Sequence, residues 1–192
     1  MTKLNTIPTI EFKTAKTFET WLAKNHDKSN GLWLKISKKD SGKKTISYAE
    51  ALDVALCYGW IDGQKQACDE ESWLQKFCPR TAKSIWSKKN IEHTERLIKE
   101  GEMQPAGLKA IEAAKANGTW EKAYDAQSKM TIPEDFLKAL RKNKKANAFF
   151  KTLNRTNLFS IAFRLQTAKK EETRQKRIAK IIGMLEREEK FH

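Results

Sequence analysis

Cysteine and histidine are scarce in this sequence, and their spacing excludes two common ways of stabilising a small fold. The 192 residues include three histidines and three cysteines, Cys57, Cys68 and Cys78. The sequence has no C-x-x-C motif and no histidine close to a cysteine, so a structural zinc site is not expected. An odd number of cysteines in a chain of this length also argues against a disulfide framework. We expect Cys57, which lies in an apolar helix, to act as a small buried hydrophobic residue.

Long apolar runs are also lacking. No stretch approaches the ~20 apolar residues that a membrane-spanning helix needs. The first residues, MTKLNTIPTIEF, contain no apolar core of the length that signal peptides have. We therefore expect a cytoplasmic protein.

The sequence lacks the short motifs of several enzyme classes. It has no glycine-rich phosphate-binding loop, no H-E-x-x-H and no G-x-S-x-G. A nucleophile and base could arise from Cys57 with His26 or His93 only if the fold brought them together. We expect a protein without enzymatic activity that needs no cofactor or metal. An enzyme acting on a small anionic substrate is the alternative.

Acidic residues are absent from one long segment. Between Phe136 and Lys170 there is no Asp or Glu, while the chain as a whole has a net charge of +14. The segment carries ten cations: Lys138, Arg141, Lys142, Lys144, Lys145, Lys151, Arg155, Arg164, Lys169 and Lys170. Such a segment attracts anions over a Debye length of roughly 8–10 Å at ordinary salt. It is either a solvated face or a contact surface for nucleic acid or another anionic surface.

The aromatic residues of this segment limit the kind of contact it can make. Their helical spacing predicts that they lie in a core with the lysines outward; they are Phe136, Phe149, Phe150, Phe159 and Phe163. Stacking on single-stranded bases would need exposed aromatic side chains among the cations. Any nucleic acid would therefore be held through its phosphates, nonspecifically and with strong salt dependence, by Lys138, Arg141, Lys142, Lys144 and Lys145.

The first half of the chain has strand and helix signals in alternation. GLWLKISKK predicts a strand with Leu32, Leu34 and Ile36 on one face. Ser47 and Glu50 form a capping box, which predicts the start of a helix. Two strands are then expected around the acidic turn 69–71. Pro79 is expected to end the second strand, because it cannot donate a hydrogen bond to a neighbouring strand. The apolar contacts of the two strands are expected from Trp60, the Cys68 region, Trp73, Leu74 and Phe77.

The second half has only helical signals. Ser84 or Ser87 is expected to cap a helix that ends at Gly101. The segment GLKAIEAAKAN is expected to form another helix, whose period is set by Leu108, Ile111 and Ala114 or Lys115. Further helices are predicted over residues 133–143, 145–153, 157–168 and 173–188. The fold class is therefore α+β: a small antiparallel sheet with flanking helices over residues 1–100, followed by an all-helical domain over residues 101–192.

Two unusual runs, ALCYGWIDGQK (55–65) and FCPRTAKSIWSKKN (77–90), lie at the start and end of the predicted hairpin. Pairing of the strands would bring Asp62 close to Arg80 and place serines at a helix N-terminus, where free amides favour an anion. The candidate ligand-binding residues are Trp60, Asp62, Arg80, Ser84, Trp86 and Ser87. The structural alternative is an Asp62–Arg80 salt bridge, a serine cap and tryptophans that are only core.

The same motifs, read together, resemble a known family. The segments SYAEALDVALCYGWIDGQK, FCPRTAKSIWSKKN, GEMQPAGLKAIEAAKANGTWEKAY, IPEDFLKAL and ETRQKRIAKIIGML are similar to the YdeI/OmpD-associated family of bacterial proteins. The resemblance runs from about Phe18 to the C-terminus. Cys78 departs from it, because a threonine is expected at that position.

The resemblance implies both a fold and a function. The implied fold is an N-terminal half similar to the YjbR/CyaY-like α+β folds and a helical C-terminal half. The family's name implies bacteriocin protection and association with an outer-membrane porin, and the resemblance carries over no catalytic residues. We therefore expect a cytoplasmic binding or stress-resistance protein related to protection against bacteriocins or antimicrobial peptides, with a small-anion pocket.

Overall fold

A four-stranded sheet forms the centre of the first part of the chain in the computed structural model, which describes residues 7–125 and 130–192. The strands are β1 (Thr9–Glu11), β2 (Leu32–Ser37), β3 (Trp60–Ala67) and β4 (Ser72–Pro79). Their order in the sheet is β1-β2-β4-β3. The neighbours are antiparallel as predicted, except that β1 lies parallel to β2. The three residues of β1 are too few to show a sequence periodicity, and this strand was not predicted.

Eight α-helices accompany the sheet within the described residues. Those of the first part are α1 (Ala15–Asn25), α2 (Tyr48–Cys57), α3 (Lys88–Lys99) and α4 (Pro105–Ala116); those of the second are α5 (Glu134–Arg141), α6 (Lys144–Phe150), α7 (Arg155–Gln166) and α8 (Glu171–Glu186). The α+β class, with a helical C-terminal part, is confirmed. The likeness of the first half to YjbR/CyaY folds stays a prediction.

The chain divides into two compact units, Met1–Ala123 and Tyr124–His192. The sequence predicts an earlier division, between residues 100 and 101. Helix α4 belongs to the first unit because its Gly107 approaches the backbone of Cys57 at the end of α2. The amide of Gln104 also donates to the carbonyl of Cys57 (3.1 Å).

The core of the first unit lies on one face of the sheet. On β2 the buried residues are Leu32, Leu34 and Ile36, as the alternation predicted. Ser47 caps α2, and the reciprocal bonds with Glu50 make the predicted capping box. On α4 the prediction is confirmed for Ile111 and Ala114, which are buried together with Gly107, and is wrong for Leu108, which is 40% exposed.

The second unit has a separate helical core. The largest buried residues include Phe136, Leu140, Ile161 and Leu165, and Ile178, Ile181 and Leu185 of α8 pack with them. Arg174 on α8 makes two hydrogen bonds to the carboxylate of Asp135 at the start of α5, of 2.6 and 2.8 Å. No described helix has the length and apolar composition required to cross a membrane.

Candidate functional site

The hairpin of β3 and β4 brings the two unusual runs side by side. Trp60 is paired with Pro79 in the register of the strands, and the amide of Arg80 donates to the carbonyl of Gly59 (3.0 Å). Gly59 has a positive φ of 72°, which allows the chain to leave α2 and enter β3 directly. The predicted pairing of these strands is therefore confirmed, and Arg80 begins the loop that leads to α3.

Hydrogen bonds within the loop set its shape. The amide of Thr81 donates to Oγ of Ser84 (3.0 Å), and the amide of Ser84 donates to the carbonyl of Thr81 (2.9 Å). Ser87 is the N-cap of α3, because its Oγ accepts from the amide of Asn90 (3.0 Å). Of the two serines proposed as the cap, Ser87 is thus the one used, and Ser84 closes a tight turn before it.

Arg80 and Trp86 form the central contact of the loop. The guanidinium carbon of Arg80 lies 3.4 Å from the centroid of the Trp86 ring, and Nη1 of Arg80 donates to the carbonyl of Ile85 (3.3 Å). Trp86 is 3% exposed, and its ring centroid lies 4.8 Å from that of Trp120. A cation stacked on a buried indole is held in one orientation, which a free surface arginine is not.

The Arg80–Trp86 contact borders a cleft of about 260 Å³ within the first unit. We call this space the Arg80–Trp86 cleft. The residues that line it are Gly59, Arg80, Thr81, Ala82, Ser84, Trp86, Ala106, Lys109, Ala110, Ala113, Ala114, Asn117 and Thr119. Trp86, Ala114 and Thr119 are buried, whereas Thr81, Lys109 and Asn117 are exposed. The first three therefore mark the inner end of the cleft and the second three its rim.

Three of the six candidate residues line the cleft, and three do not. Arg80, Ser84 and Trp86 are among its walls. Ser87 is occupied as a helix cap. Trp60 is 1% exposed and belongs to the core, where its indole N–H donates to the carbonyl of His26 (3.1 Å).

Asp62 forms its hydrogen bond with a different residue from Arg80, the partner expected from the sequence. Its Oδ2 accepts a hydrogen bond from the hydroxyl of Tyr48 on α2 (2.9 Å). The strand register explains this, because Asp62 is opposite Phe77 and not at the end of β4 where Arg80 follows. The carboxylate therefore joins β3 to α2 and takes no part in lining the cleft.

The far wall of the cleft comes from α4, which the sequence analysis did not connect with this site. Ala106, Lys109, Ala110, Ala113, Ala114 and Asn117 line the cleft at spacings of three or four residues, so they share one helix face. The missed signal was the small side chain repeated along that face. Such residues leave a gap between a helix and its neighbour where larger side chains would fill it.

Cys57 and His93 do not make a nucleophile and base. Burial, and secondarily the negative charge of Asp53, raises the pKa of Cys57 to about 12, so its thiol is protonated at neutral pH. His93 uses Nδ1 in a 2.6 Å hydrogen bond with Asp53, which also pairs with Arg96. These contacts join α2 to α3. No group of three or more His, Cys, Asp or Glu within residues 7–125 and 130–192 is placed to hold a metal ion.

Five exposed cations lie along α5, α6 and the turn between them in the second unit, and we call this group the basic face. The exposed cations are Lys138, Arg141, Lys142, Lys144 and Lys145. Arg141 pairs with Glu134 (3.2 Å). Three of the five aromatic residues of the segment are turned inward as predicted, since Phe136 is fully buried and Phe149 and Phe150 pack against the core. Phe159 and Phe163 are half-buried and pack against each other, with ring centroids 5.8 Å apart.

Comparison with protein families assigns the two parts of the chain separately. Residues 10–110 match a domain of unknown function (DUF8412). Residues 129–188 match the family described as bacteriocin-protection, YdeI or OmpD-associated, which is the family that the sequence motifs resemble. No curated protein and no solved structure matches the chain.

Proposed function

We infer from two family memberships that this chain is a non-enzymatic binding protein that takes part in protection against bacteriocins. Over residues 10–110 the chain belongs to a domain family of unknown function (DUF8412), and over residues 129–188 it belongs to the bacteriocin-protection, YdeI or OmpD-associated family. We propose that its ligand is a small anion and that the Arg80–Trp86 cleft is its binding site. The observation that carries the proposal is the cation of Arg80 held against Trp86 at this cleft.

The charges around the cleft support an anionic ligand. Arg80 and Lys109 are cations, and none of the described residues that line the space is acidic. The hydroxyls of Thr81 and Ser84 are further hydrogen-bond donors to a bound carboxylate or phosphate, whereas that of Thr119 already donates to Oδ1 of Asn117 (2.6 Å). A cleft with one sign of charge and low-dielectric walls concentrates ions of the opposite sign.

The same lining supports binding without catalysis. The described lining residues include no carboxylate, imidazole or thiol, which are the groups that most often act as general base or nucleophile. The hydroxyl of Ser84 has no such partner in the lining, and its oxygen already accepts from the amide of Thr81. A bound anion would therefore be held and released unchanged.

Thermal unfolding with small anions tests the binding proposal. Phosphate, sulfate, acetate and benzoate are added to the wild type, to Arg80→Gln and to Lys89→Gln. Lys89 is an exposed cation of α3 outside the cleft, so its variant has the same change in net charge. At least one anion should raise the Tm of the wild type and of Lys89→Gln more than that of Arg80→Gln. Equal shifts in all three proteins would contradict the proposal.

Bacterial survival tests the link to bacteriocins. A strain that lacks the gene is exposed to a bacteriocin and complemented with the wild type or with Arg80→Gln at equal protein levels. We expect the wild type to restore survival and the variant to do so less well. We propose that the protein acts in the cytoplasm, and cell fractionation with an antibody against the chain is the corresponding measurement.

A second candidate function is nonspecific binding of nucleic acid by the basic face of the second unit. Four of its exposed lysines, Lys138, Lys142, Lys144 and Lys145, make no ion pair with another described residue. Exposed cations without aromatic side chains between them favour contact with phosphates over contact with bases. We propose that such binding is independent of sequence and weakens steeply with salt.

Gel shifts at increasing salt test this second function. Lys144→Gln/Lys145→Gln should weaken binding of a duplex and reduce the salt slope by about 2, since each phosphate contact contributes about 0.9. The matched control is Lys13→Gln/Lys24→Gln, which removes the same charge from exposed positions in the first unit. A wild type that shifts no duplex or single strand at low salt would rule the function out.

A further inference from the structure

The walls of the Arg80–Trp86 cleft differ in chemistry from one side to the other. The loop side contributes Arg80 with the hydroxyls of Thr81 and Ser84, whereas the α4 side contributes mainly the methyl groups of alanines. The alanines are Ala106, Ala110, Ala113 and Ala114. An inorganic anion could bind the charged and hydroxyl groups of the loop side, but it would leave the alanine methyl groups of the α4 side exposed to water.

We infer that the cleft selects an amphipathic anion, in which one carboxylate or phosphate group is attached to a compact apolar body such as a single aromatic ring. This inference rests on the proposed anion site and adds the class of ligand. The anionic group lies toward Arg80 and the rim lysine Lys109, and the apolar body lies along the alanine face of α4. Removing that apolar surface from water adds to affinity in proportion to its area.

The size of the cleft limits the apolar body. Its volume of about 260 Å³ is just below the roughly 300–1,000 Å³ of sites that hold drug-sized ligands. A single ring or a short branched chain fits this volume, and a long acyl chain or a peptide does not. The alanines determine the space, because a leucine on the same helix face would extend into it.

The positions on α4 are suited to a test of this idea. Ala113 lines the cleft and is itself exposed, so a larger side chain there is tolerated by the core. Ala116 lies on the same helix, is also exposed and does not line the cleft. Ala113→Leu and Ala116→Leu therefore make the same chemical change, one inside the site and one outside it.

Calorimetric titration of the full chain compares two pairs of ligands, acetate with benzoate and inorganic phosphate with phenyl phosphate. The aryl member of each pair should bind the wild type at least tenfold more tightly, because each buried methylene-sized group contributes a factor of about four. Ala113→Leu should remove most of this advantage, and Ala116→Leu should keep it. The pair with the larger advantage identifies the anionic group as carboxylate or phosphate.

The outcomes separate this inference from the proposal beneath it. If acetate or phosphate binds in an Arg80-dependent way and the aryl compounds bind no more tightly, the inference of an amphipathic ligand is wrong, whereas the proposal of an anion site is supported. An aryl advantage that Ala113→Leu leaves intact also overturns the inference, since the ring is then bound elsewhere. If no member of either pair binds the wild type, both the inference and the anion site are wrong.

Discussion

The guanidinium of Arg80 is stacked on the indole of Trp86, with its central carbon 3.4 Å from the ring centroid. The contact joins the end of β4 to the residue that precedes the cap of α3. It adds to the hydrogen bonds between Thr81 and Ser84 that set the shape of the loop. Stability and ligand binding are therefore expected to depend on the same pair.

Arg80→Lys tests the stacking separately from the charge. Lysine keeps the positive charge and loses the planar group that lies flat on the ring. We expect the free energy of unfolding to fall by about 0.5–2 kcal/mol, the range of cation–π contacts. Urea unfolding followed by tryptophan fluorescence measures it. The control is Lys83→Arg on the same loop, which is exposed and should change stability by less than about 0.5 kcal/mol.

Gly107→Ala tests the close approach of α4 to α2. A Cβ at this position would overlap the carbonyl oxygen of Cys57 and lie 2.8 Å from its carbon. Backbone atoms cannot move aside as a flexible side chain does, so we expect a loss of roughly 1–3 kcal/mol in unfolding free energy. The loss should exceed the gain in helix propensity of about 0.5–1 kcal/mol.

The same substitution in α8 should have the opposite effect. At Gly183 a Cβ would meet only Nη1 of Arg187, at 3.5 Å. Gly183→Ala is therefore expected to raise the free energy of unfolding by about 0.5–1 kcal/mol. Chemical denaturation of the two variants side by side is the measurement. A stabilising Gly107→Ala would show that the two helices are farther apart than described.

Thiol labelling tests the chemistry of the three cysteines. The burial of Cys57 raises its pKa to about 12, burial also raises the pKa of Cys78, and Cys68 is exposed. Because the thiolate is the reactive form, an alkylating reagent at pH 8 should modify Cys68 first and Cys57 only after unfolding. Mass spectrometry of peptides gives the rates, with Cys68→Ser as the control. Fast labelling of Cys57 in the native protein would contradict its assignment as a core residue.

The Asp135–Arg174 pair predicts a pH dependence of the helical unit. The hydrogen bonds from Arg174, and that from the amide of Phe136, lower the pKa of Asp135. A carboxyl whose folded pKa is lowered stabilises the fold above its unfolded pKa, near 4, and this contribution is lost as the pH falls through the folded pKa. Since the side chain of Asp135 is 42% exposed, solvent screening limits the effect to on the order of 1 kcal/mol.

Acid titration of unfolding free energy between pH 7 and 2 measures this contribution. Asp135→Asn should be less stable than the wild type at pH 7 and should approach it at pH 2–3. The comparison variant is Glu134→Gln, whose ion pair with Arg141 is more exposed and should matter little. A constant difference between Asp135→Asn and the wild type at every pH would mean that the charge of Asp135 has no role.

The sequence predicted the local elements of this fold well because their signals are local. The capping box of Ser47 and Glu50 and the alternation along Leu32–Ser37 involve residues a few positions apart. The turn of β3 into β4 was also predicted, although Cys68 is exposed. Strand β1 was missed because its three residues are ordered only by pairing with β2.

Only the loop side of the cleft could be predicted from the sequence, because the α4 side is far from it along the chain. Arg80, Ser84 and Trp86 lie within one loop and were identified together. The face of α4 that completes the cleft is 20–37 residues away along the chain, and nothing local in its alanines indicates which element it faces. The expected partner of Asp62 was wrong, because the register that pairs it with Phe77 and the hydroxyl of Tyr48 that binds it are both tertiary features.

The central claim is that the cleft beside Arg80 and Trp86 binds an anion, and tryptophan resonances report on it directly. The chain has six tryptophans, and each indole N–H gives one signal in a two-dimensional ¹H–¹⁵N spectrum. On titration with benzoate and with phenyl phosphate, the signal of Trp86 should move with saturation, with a smaller change at the neighbouring Trp120. The signals of Trp21, Trp33, Trp60 and Trp73 should stay in place. Saturable shifts confined to those four, or no shift of Trp86 with any anion, would contradict the claim.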